Sequence, residues 1–273
     1  MGPTDRQPPL PNYEWTRLPD DHRDVTKVVE ECNWLQALEG GLDTSHAPIL
    51  HRALKPNPAH PGIPMSGPFV KGEAPKLEVE PTDYGYRYFG IRKLGADQQY
   101  ARGYHFVMPW TQIRPGTDGL PGAESKNTES HGHHWVPIDD EHTMHIHVVC
   151  QHAEAGDDLT DAFAPLVEIK EPYKHPAEAL HPVAKFTLHH VIPQDHMAWE
   201  TQGPIADRSI EHLSFSDRGI ALYRKLMLEQ LASVERGEYP MSAQRDPDQA
   251  VIHTNLDDGI QQQNRSPGSV PPA

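Results

Sequence analysis

Apolar residues recur along this chain with two different spacings. Between residues 27 and 46, Val28, Val29, Cys32, Leu35, Leu38 and Leu42, with Gln36 among them, fall near a 3.6-residue period. That spacing predicts a helix, which Pro48 interrupts. Further on the pattern changes. YGYRYFGIRKL (84–94) and ARGYHFVMPW (101–110) are rich in aromatic and β-branched residues and partly alternating, as strands are. HWVPI (134–138) and HTMHIHVVC (142–150) predict two strands joined by a turn at Asp139, Asp140 and Glu141. KFTLHHVIP (185–193) predicts another strand or a short ordered segment. A second helix is expected over 216–238, with Ser216 as N-cap and Ile220, Leu222, Leu226, Leu228, Leu231 and Val234 as its apolar faces. Residues 52–82 and 115–133 carry the Pro, Gly, Ser and Asn of loops, and 152–182 reads as a polar insertion. Helix, antiparallel strands and a long C-terminal helix predict an α+β fold with a sheet packed on a helix. One domain is expected over 27–240, between a Pro-rich arm or linker remnant at 1–26 and a polar tail at 241–273 whose last ten residues lack fixed structure.

Composition narrows the function. Lys and Arg number 24 against 39 Asp and Glu, a formal net charge of -15. Such a surface repels nucleic acid and anionic membranes. Mean hydropathy is -0.67, and no apolar run approaches the ~20 residues of a membrane-spanning helix. The N-terminus has no apolar secretory core. A cytoplasmic protein with two buried thiols, Cys32 and Cys150, is expected. The 19 histidines are the first sign of metal or acid–base chemistry.

The segment NWLQALEGGLDTSHAPILH (33–51) contains Asp43, His46 and His51 as D-x2-H-x4-H. On one helix Asp43 and His46 would share a face, whereas His46 and His51 would stand ~140° apart. Pro48 disfavours helical geometry at Ala47, and a bend there would let His51 return towards His46. Two His and one carboxylate form the facial triad of non-heme Fe(II) oxygenases. The carboxylate candidate is Asp195, set in a polar break before a new segment, with Glu200 and Gln202 close behind.

These residues resemble the catalytic domain of Rieske non-heme iron ring-hydroxylating oxygenases, in the group of phthalate 4,5-dioxygenase-like oxygenase subunits. The resemblance continues in WVPIDDEHTM (135–144), in D-x4-E-T-x-Q from Asp195 to Gln202 and in GPIADRSIEHLSFSD (203–217), and spans roughly residues 13–238. It implies a helix-grip fold (START/Bet v1-like), an antiparallel sheet wrapped on the long C-terminal helix. It implies Fe(II) on His46, His51 and Asp195, and an electron-bridging role for Asp43 towards the Rieske cluster of a neighbouring subunit. It further implies oxygenation of an aromatic ring by hydroxylation, dihydroxylation or O-demethylation, a homotrimer, dioxygen as co-substrate, and electrons from NAD(P)H through a reductase or ferredoxin. Many members carry Asn three residues before the bridging Asp; here that position is Gly40, and Asn33 does not match it.

A Rieske [2Fe–2S] centre needs a C-x-H and a C-x-x-H half-motif. Cys150-Gln151-His152 is formally the first, but Cys32 is followed by Asn33-Trp34-Leu35 and supplies no second. The cluster is therefore expected from a missing domain or a separate polypeptide, and a fragment is the favoured explanation. Two other readings compete. His145 and His147, on one strand face with His152 or Glu154, would make a cupin-like metal site, although a solvated strand face is the plainer expectation. His131, His133 and His134 are expected to be solvated in a loop. A helix-grip domain can also bind apolar ligands without catalysis, but a pure binder has no reason to keep two His and an Asp in this pattern. Arg87, Arg92 and Arg102 are candidates to pair with a substrate carboxylate, on whichever strand faces they occupy.

Overall fold

The computed structural model describes residues 8–51, 74–94, 96–116, 129–152, 191–243, 251–252 and 258–262. The expectations for 153–182, for the start of the 185–193 segment and for the last ten residues lie outside these, as do most of the 52–82 loop and residues 117–128.

The apolar spacing over 27–46 is not one helix. Arg23–Glu30 is a strand, β2, preceded by the short β1 (Asn12–Tyr13). In β2 Thr26 and Glu30 are buried, Val28 is half-buried, and Val25, Lys27 and Val29 are exposed, a period of two. The β-branched residues fit a pleated strand better than a helix. The helix α1 starts only at Trp34 (Trp34–Leu42), where the Asn33 side chain accepts the Leu35 N–H at 3.0 Å as its cap. A short helix α2 (Ala47–Leu50) follows. The strands β3 (Lys76–Pro81), β4 (Gly85–Lys93), β5 (Gln98–Val107), β6 (Thr111–Pro115), β7 (Glu129–Pro137) and β8 (Thr143–Gln151) complete the main sheet. Thus β3 and the first half of β7 stand where turn-forming composition predicts loop, and the β7–β8 turn falls at 138–142 as expected.

The strand order is β2-β8-β7-β6-β5-β4-β3, antiparallel throughout. β5 is longer than its partner β6. Its residues 98–102 pair instead with β10 (Asp258–Gln262), and β9 (Val251–Ile252) pairs in parallel with β1.

Helices α3 (Val191–Glu200) and α4 (Arg218–Glu235) join α1 on one face of this sheet. Leu38 and Leu42 of α1, Trp199 of α3 and Ile220, Tyr223 and Met227 of α4 share one core with Tyr86, Tyr88, Tyr104, Phe106 and Trp135 of the strands. Tyr88 and Tyr104 are cross-strand partners with stacked rings, 4.7 Å between centroids, a pairing worth about 0.5–1.5 kcal/mol beyond area burial. The fold is α+β, an antiparallel sheet packed on helices with a long C-terminal one among them.

Two polar fastenings set α1 on this core. Buried Glu39 receives Arg224 of α4 at 2.7 and 2.9 Å and also pairs with Arg208; Arg224 holds Glu211 in turn. Gln36 donates to the carbonyls of Trp199 and Gly203 and accepts from the Ala206 N–H. The same packing explains Gly40 and Gly41. A Cβ on Gly40 would collide with the Trp199 indole and one on Gly41 with the Trp135 ring, so neither position accepts a side chain without moving a tryptophan.

Candidate metal centre

The chain leaves α1 at Asp43, which caps its C-terminal end. The Asp43 carboxylate accepts the N–H groups of Ser45 at 2.7 Å and His46 at 3.0 Å, closing a tight turn. From the sheet, Arg92 donates to the Thr44 carbonyl at 2.8 Å and braces this turn. Contrary to the expected bend at Ala47, Pro48 sits in the first turn of α2, where a missing N–H leaves no bond unmade. His46 and His51 flank that one helical turn, so they meet because α2 is helical.

Asp195 is not in a polar break. It lies within α3, whose first turn accommodates Pro193. The three residues converge: His46 Nε2 and His51 Nε2 are 3.1 Å apart, and each is 3.3 Å from Asp195 Oδ1. Ligand atoms held at right angles by bonds of about 2.1 Å to one cation lie about 3.0 Å apart. Two imidazole nitrogens and one carboxylate oxygen on a single small face fit an Fe(II) facial triad.

The far side of each ring is also occupied. His46 Nδ1 faces Asp43 Oδ2 at 3.4 Å, and His51 Nδ1 bonds Gln194 Oε1 at 2.7 Å. Each Nδ1 thus meets an acceptor, which leaves Nε2 for the metal. Burial lowers the affinity of His46 for a proton, but Asp195 and then Asp43 outweigh it and lift the ring to about 10. Burial would raise Asp195, yet the imidazoles of His46 and His51 beside it hold it far below the carboxylate range. A cation bound here takes over the charge balance that the proton on His46 otherwise provides.

Two further histidine clusters stand nearby, and neither the loop nor the solvated strand face expected of them is found. His131, His133 and Trp135 of β7 share the helix-covered face with His145 and His147 of β8, and all but His131 are buried. His145 Nδ1 meets His196 Nε2 of α3 at 3.1 Å, and His196 Nε2 lies 3.3 Å from Glu30 Oε1. His131, His133 and His147 group on the sheet. One residue argues against a metal in either cluster. Arg114 Nε donates to His133 Nε2 at 3.2 Å, and a guanidinium never accepts. Burial holds His133 and His145 neutral, well below the usual histidine range. His133 must then carry its proton on Nδ1, which faces His145 Nε2 at 3.1 Å. His145 carries its own on Nδ1, directed at His196. No lone pair remains on His133, and none on His145 where a metal shared with Glu30 would need it. Of the cupin-like pair, His145 is committed in this way, and His147 Nε2 meets His131 Nδ1 at 2.8 Å. His152 bonds Ser130 instead, and Glu154 lies outside the described residues.

The sheet also sorts the arginines. Arg92 and Arg102 share the helix-covered face with Tyr88 and Tyr104, as does Arg114, whereas Arg87 lies on the opposite face beside Glu80 and over the Phe89 ring. Sequence reading missed Gln194, Arg114 and Glu39, whose partners are distant in sequence.

A family model described as LigXa C-terminal domain like matches residues 1–256. The chain belongs to this family. Its relatives are oxygenase subunits of the Rieske type, in agreement with the motifs. It is 31% identical over 261 residues to the phthalate 4,5-dioxygenase oxygenase subunit of Pseudomonas putida, covering 87% of this chain and 57% of that one. It is 29% identical to the 5,5'-dehydrodivanillate O-demethylase oxygenase subunit of a Sphingobium species, covering 90% and 52%. The chain therefore spans just over half the length of these relatives. Among solved structures, NdmA of Pseudomonas putida CBB5 with caffeine superposes with a TM-score of 0.53 at 15% identity, covering 94% of this chain and 62% of that one, a likeness of fold. Among the described residues no helix is long and apolar enough to cross a membrane.

Proposed function

We propose that this chain is the catalytic domain of an aromatic-ring oxygenase, with His46, His51 and Asp195 as the ligands of one Fe(II) and Asp43 as the link to an electron donor. The observation that carries this is the convergence of three donor atoms at 3.1–3.3 Å. Bound there, ferrous iron supplies the activation of dioxygen for insertion into an aromatic substrate. The protein's part is to fix the ligands, hold Asp43 against His46 and present the helix-covered sheet face to the substrate. Electrons come from NAD(P)H through a reductase and a Rieske cluster bound outside these residues, since Cys32 and Cys150 do not make both of its half-motifs. A head-to-tail homotrimer, in the cytoplasm, would bring that cluster to Asp43.

Arg114 indicates the substrate's charge. It is partly exposed on the helix-covered face; among the described residues it donates to His133 and has no carboxylate within ion-pair distance, with Asp195 and Glu129 acting on it at longer range. A guanidinium in that position favours an anionic ring, in keeping with the phthalate named for one relative.

Peroxide-driven turnover tests this, because hydrogen peroxide supplies both the oxygen and the electrons. The full chain loaded anaerobically with Fe(II) should hydroxylate an aromatic carboxylate with peroxide and do nothing with NADH alone. Product formation that survives Asp195→Ala would overturn the reading.

A further inference from the structure

We infer that Gln194 is a positioning residue that fixes His51 for metal binding and keeps the two histidines electronically unequal. The inference rests on the metal centre proposed above. His51 Nδ1 lies 2.7 Å from Gln194 Oε1, among the shortest side-chain contacts around the three donor atoms, and Gln194 immediately precedes Asp195 on α3. Asp195 Oδ1 meanwhile lies 3.3 Å from His51 Nε2. One helix thus supplies both the acceptor behind His51 Nδ1 and the carboxylate that shares the centre with its Nε2. An amide oxygen can only accept, so it holds the His51 proton on Nδ1 and leaves the Nε2 lone pair aimed at the shared centre.

His46 is held differently. Its Nδ1 faces the Asp43 carboxylate at 3.4 Å rather than a neutral amide. A carboxylate that accepts an imidazole proton makes the other nitrogen a stronger donor than an amide does. The centre therefore has one strong imidazole donor on the Asp43 side and one weaker, tightly oriented donor on the α3 side. The two neighbours also come from different places: Asp43 from the end of α1 and Gln194 from the helix that carries the carboxylate ligand. A shift of α3 would move Asp195 and release His51 together.

The test compares the full chain with Gln194→Leu and Gln194→Glu, using Co(II) alone as the metal probe and circular dichroism to confirm folding. Leu keeps the bulk and removes the acceptor. It should weaken Co(II) binding 10–100-fold, the usual effect of losing such a partner, and change the Co(II) absorption spectrum. Glu restores an acceptor with a charge. It should bind Co(II) at least as tightly as the natural chain and shift the midpoint potential of bound iron to more negative values. Binding within twofold of the natural chain and an identical spectrum in Gln194→Leu would overturn the inference while leaving the metal centre intact. If Gln194→Leu does not fold, an unchanged iron potential in Gln194→Glu overturns it equally. If the natural chain takes up no Co(II), or His51→Ala takes it up as well as the natural chain does, the metal centre itself is wrong and the role of Gln194 falls with it.

Discussion

Two clusters on the same side of the sheet contain the same kinds of group and differ in what those groups have left to offer. His46, His51 and Asp195 point three donor atoms at one another, with Asp43 and Gln194 behind the rings. Glu30, His145 and His196 are as close and more deeply buried, at 0%, 1% and 3% exposure. In the second cluster a chain from Arg114 through His133 has already committed the nitrogens to hydrogen bonds. The lesson is that counting His and Glu within reach does not identify a metal site. Protons must be followed from a group whose state is certain, and here that group is an arginine.

The largest effect expected is on metal uptake. His46→Ala, His51→Ala or Asp195→Ala should each remove the single Fe(II) equivalent that one facial triad binds. His145→Ala and His196→Ala should retain it. Elemental analysis after anaerobic loading checks this, and retention in the first set with loss in His145→Ala would invert the comparison and favour the cupin-like arrangement. Nitrogen-15 shifts of the histidine rings sharpen the point, since His133 and His145 should both show Nδ1–H.

The next effect concerns the group behind His46. Asp43→Asn keeps a side chain that can cap the 43–46 turn but loses the charge. It should keep most of the iron, because such partners tune affinity or activity 10–100-fold rather than decide binding. Joined to a Rieske domain and reductase, the variant should lose nearly all NADH-driven turnover and much less peroxide-driven turnover. Equal losses by both routes would make Asp43 part of the metal site itself and remove it as an electron bridge.

A smaller effect tests how far the first cluster depends on α1 being fastened in place. Glu39→Gln leaves Arg224 and Arg208 without their buried counter-charge. Both arginines are partly exposed and Arg224 keeps Glu211, so the loss should be about 1–3 kcal/mol rather than the larger cost of a fully buried pair. Urea unfolding measures it. An unchanged midpoint would mean that the apolar core alone sets the position of α1.

Much of this was legible in the sequence. The aromatic alternation of β4 and β5, the β7–β8 turn and the C-terminal helix follow from local pattern alone, and the three residues brought together at the centre are those singled out by type and spacing. The failures have identifiable causes. Val28, Val29, Cys32 and Leu35 mimic a helical period because only Glu31 and Cys32 separate the strand from the cap and helix that follow. Their β-branching and the cap at Asn33 were the usable signals. Pro48 looked like a break because its position within the helix decides its effect, and that position depends on where α1 ends. Gln194, Arg114 and Glu39 carried no local signal at all, since their meaning lies in partners 143, 19 and 185 residues away.

The smallest effect separates the two clusters by their protons. Burial holds His133 and His145 well below the ordinary histidine value of 6.5; neighbouring histidines and Arg114 push the same way, and Asp195 opposes them at His145. In the unfolded chain both return to about 6.5. Above that value neither form binds the proton and the two histidines do not affect stability. Below it the unfolded chain binds protons that the folded chain refuses, so stability falls with pH from 6.5 downward, with a slope approaching about 1.4 kcal/mol per pH unit for each such histidine as the pH nears 5. His145→Leu removes one of them. Urea unfolding of the metal-free protein between pH 6.5 and 5 should therefore give a slope shallower by one histidine's share in the variant, whatever the variant's absolute stability. If the slope does not change, His145 already carries its proton in the folded state, the tautomers no longer follow from Arg114, and the distinction between the two clusters loses its physical basis.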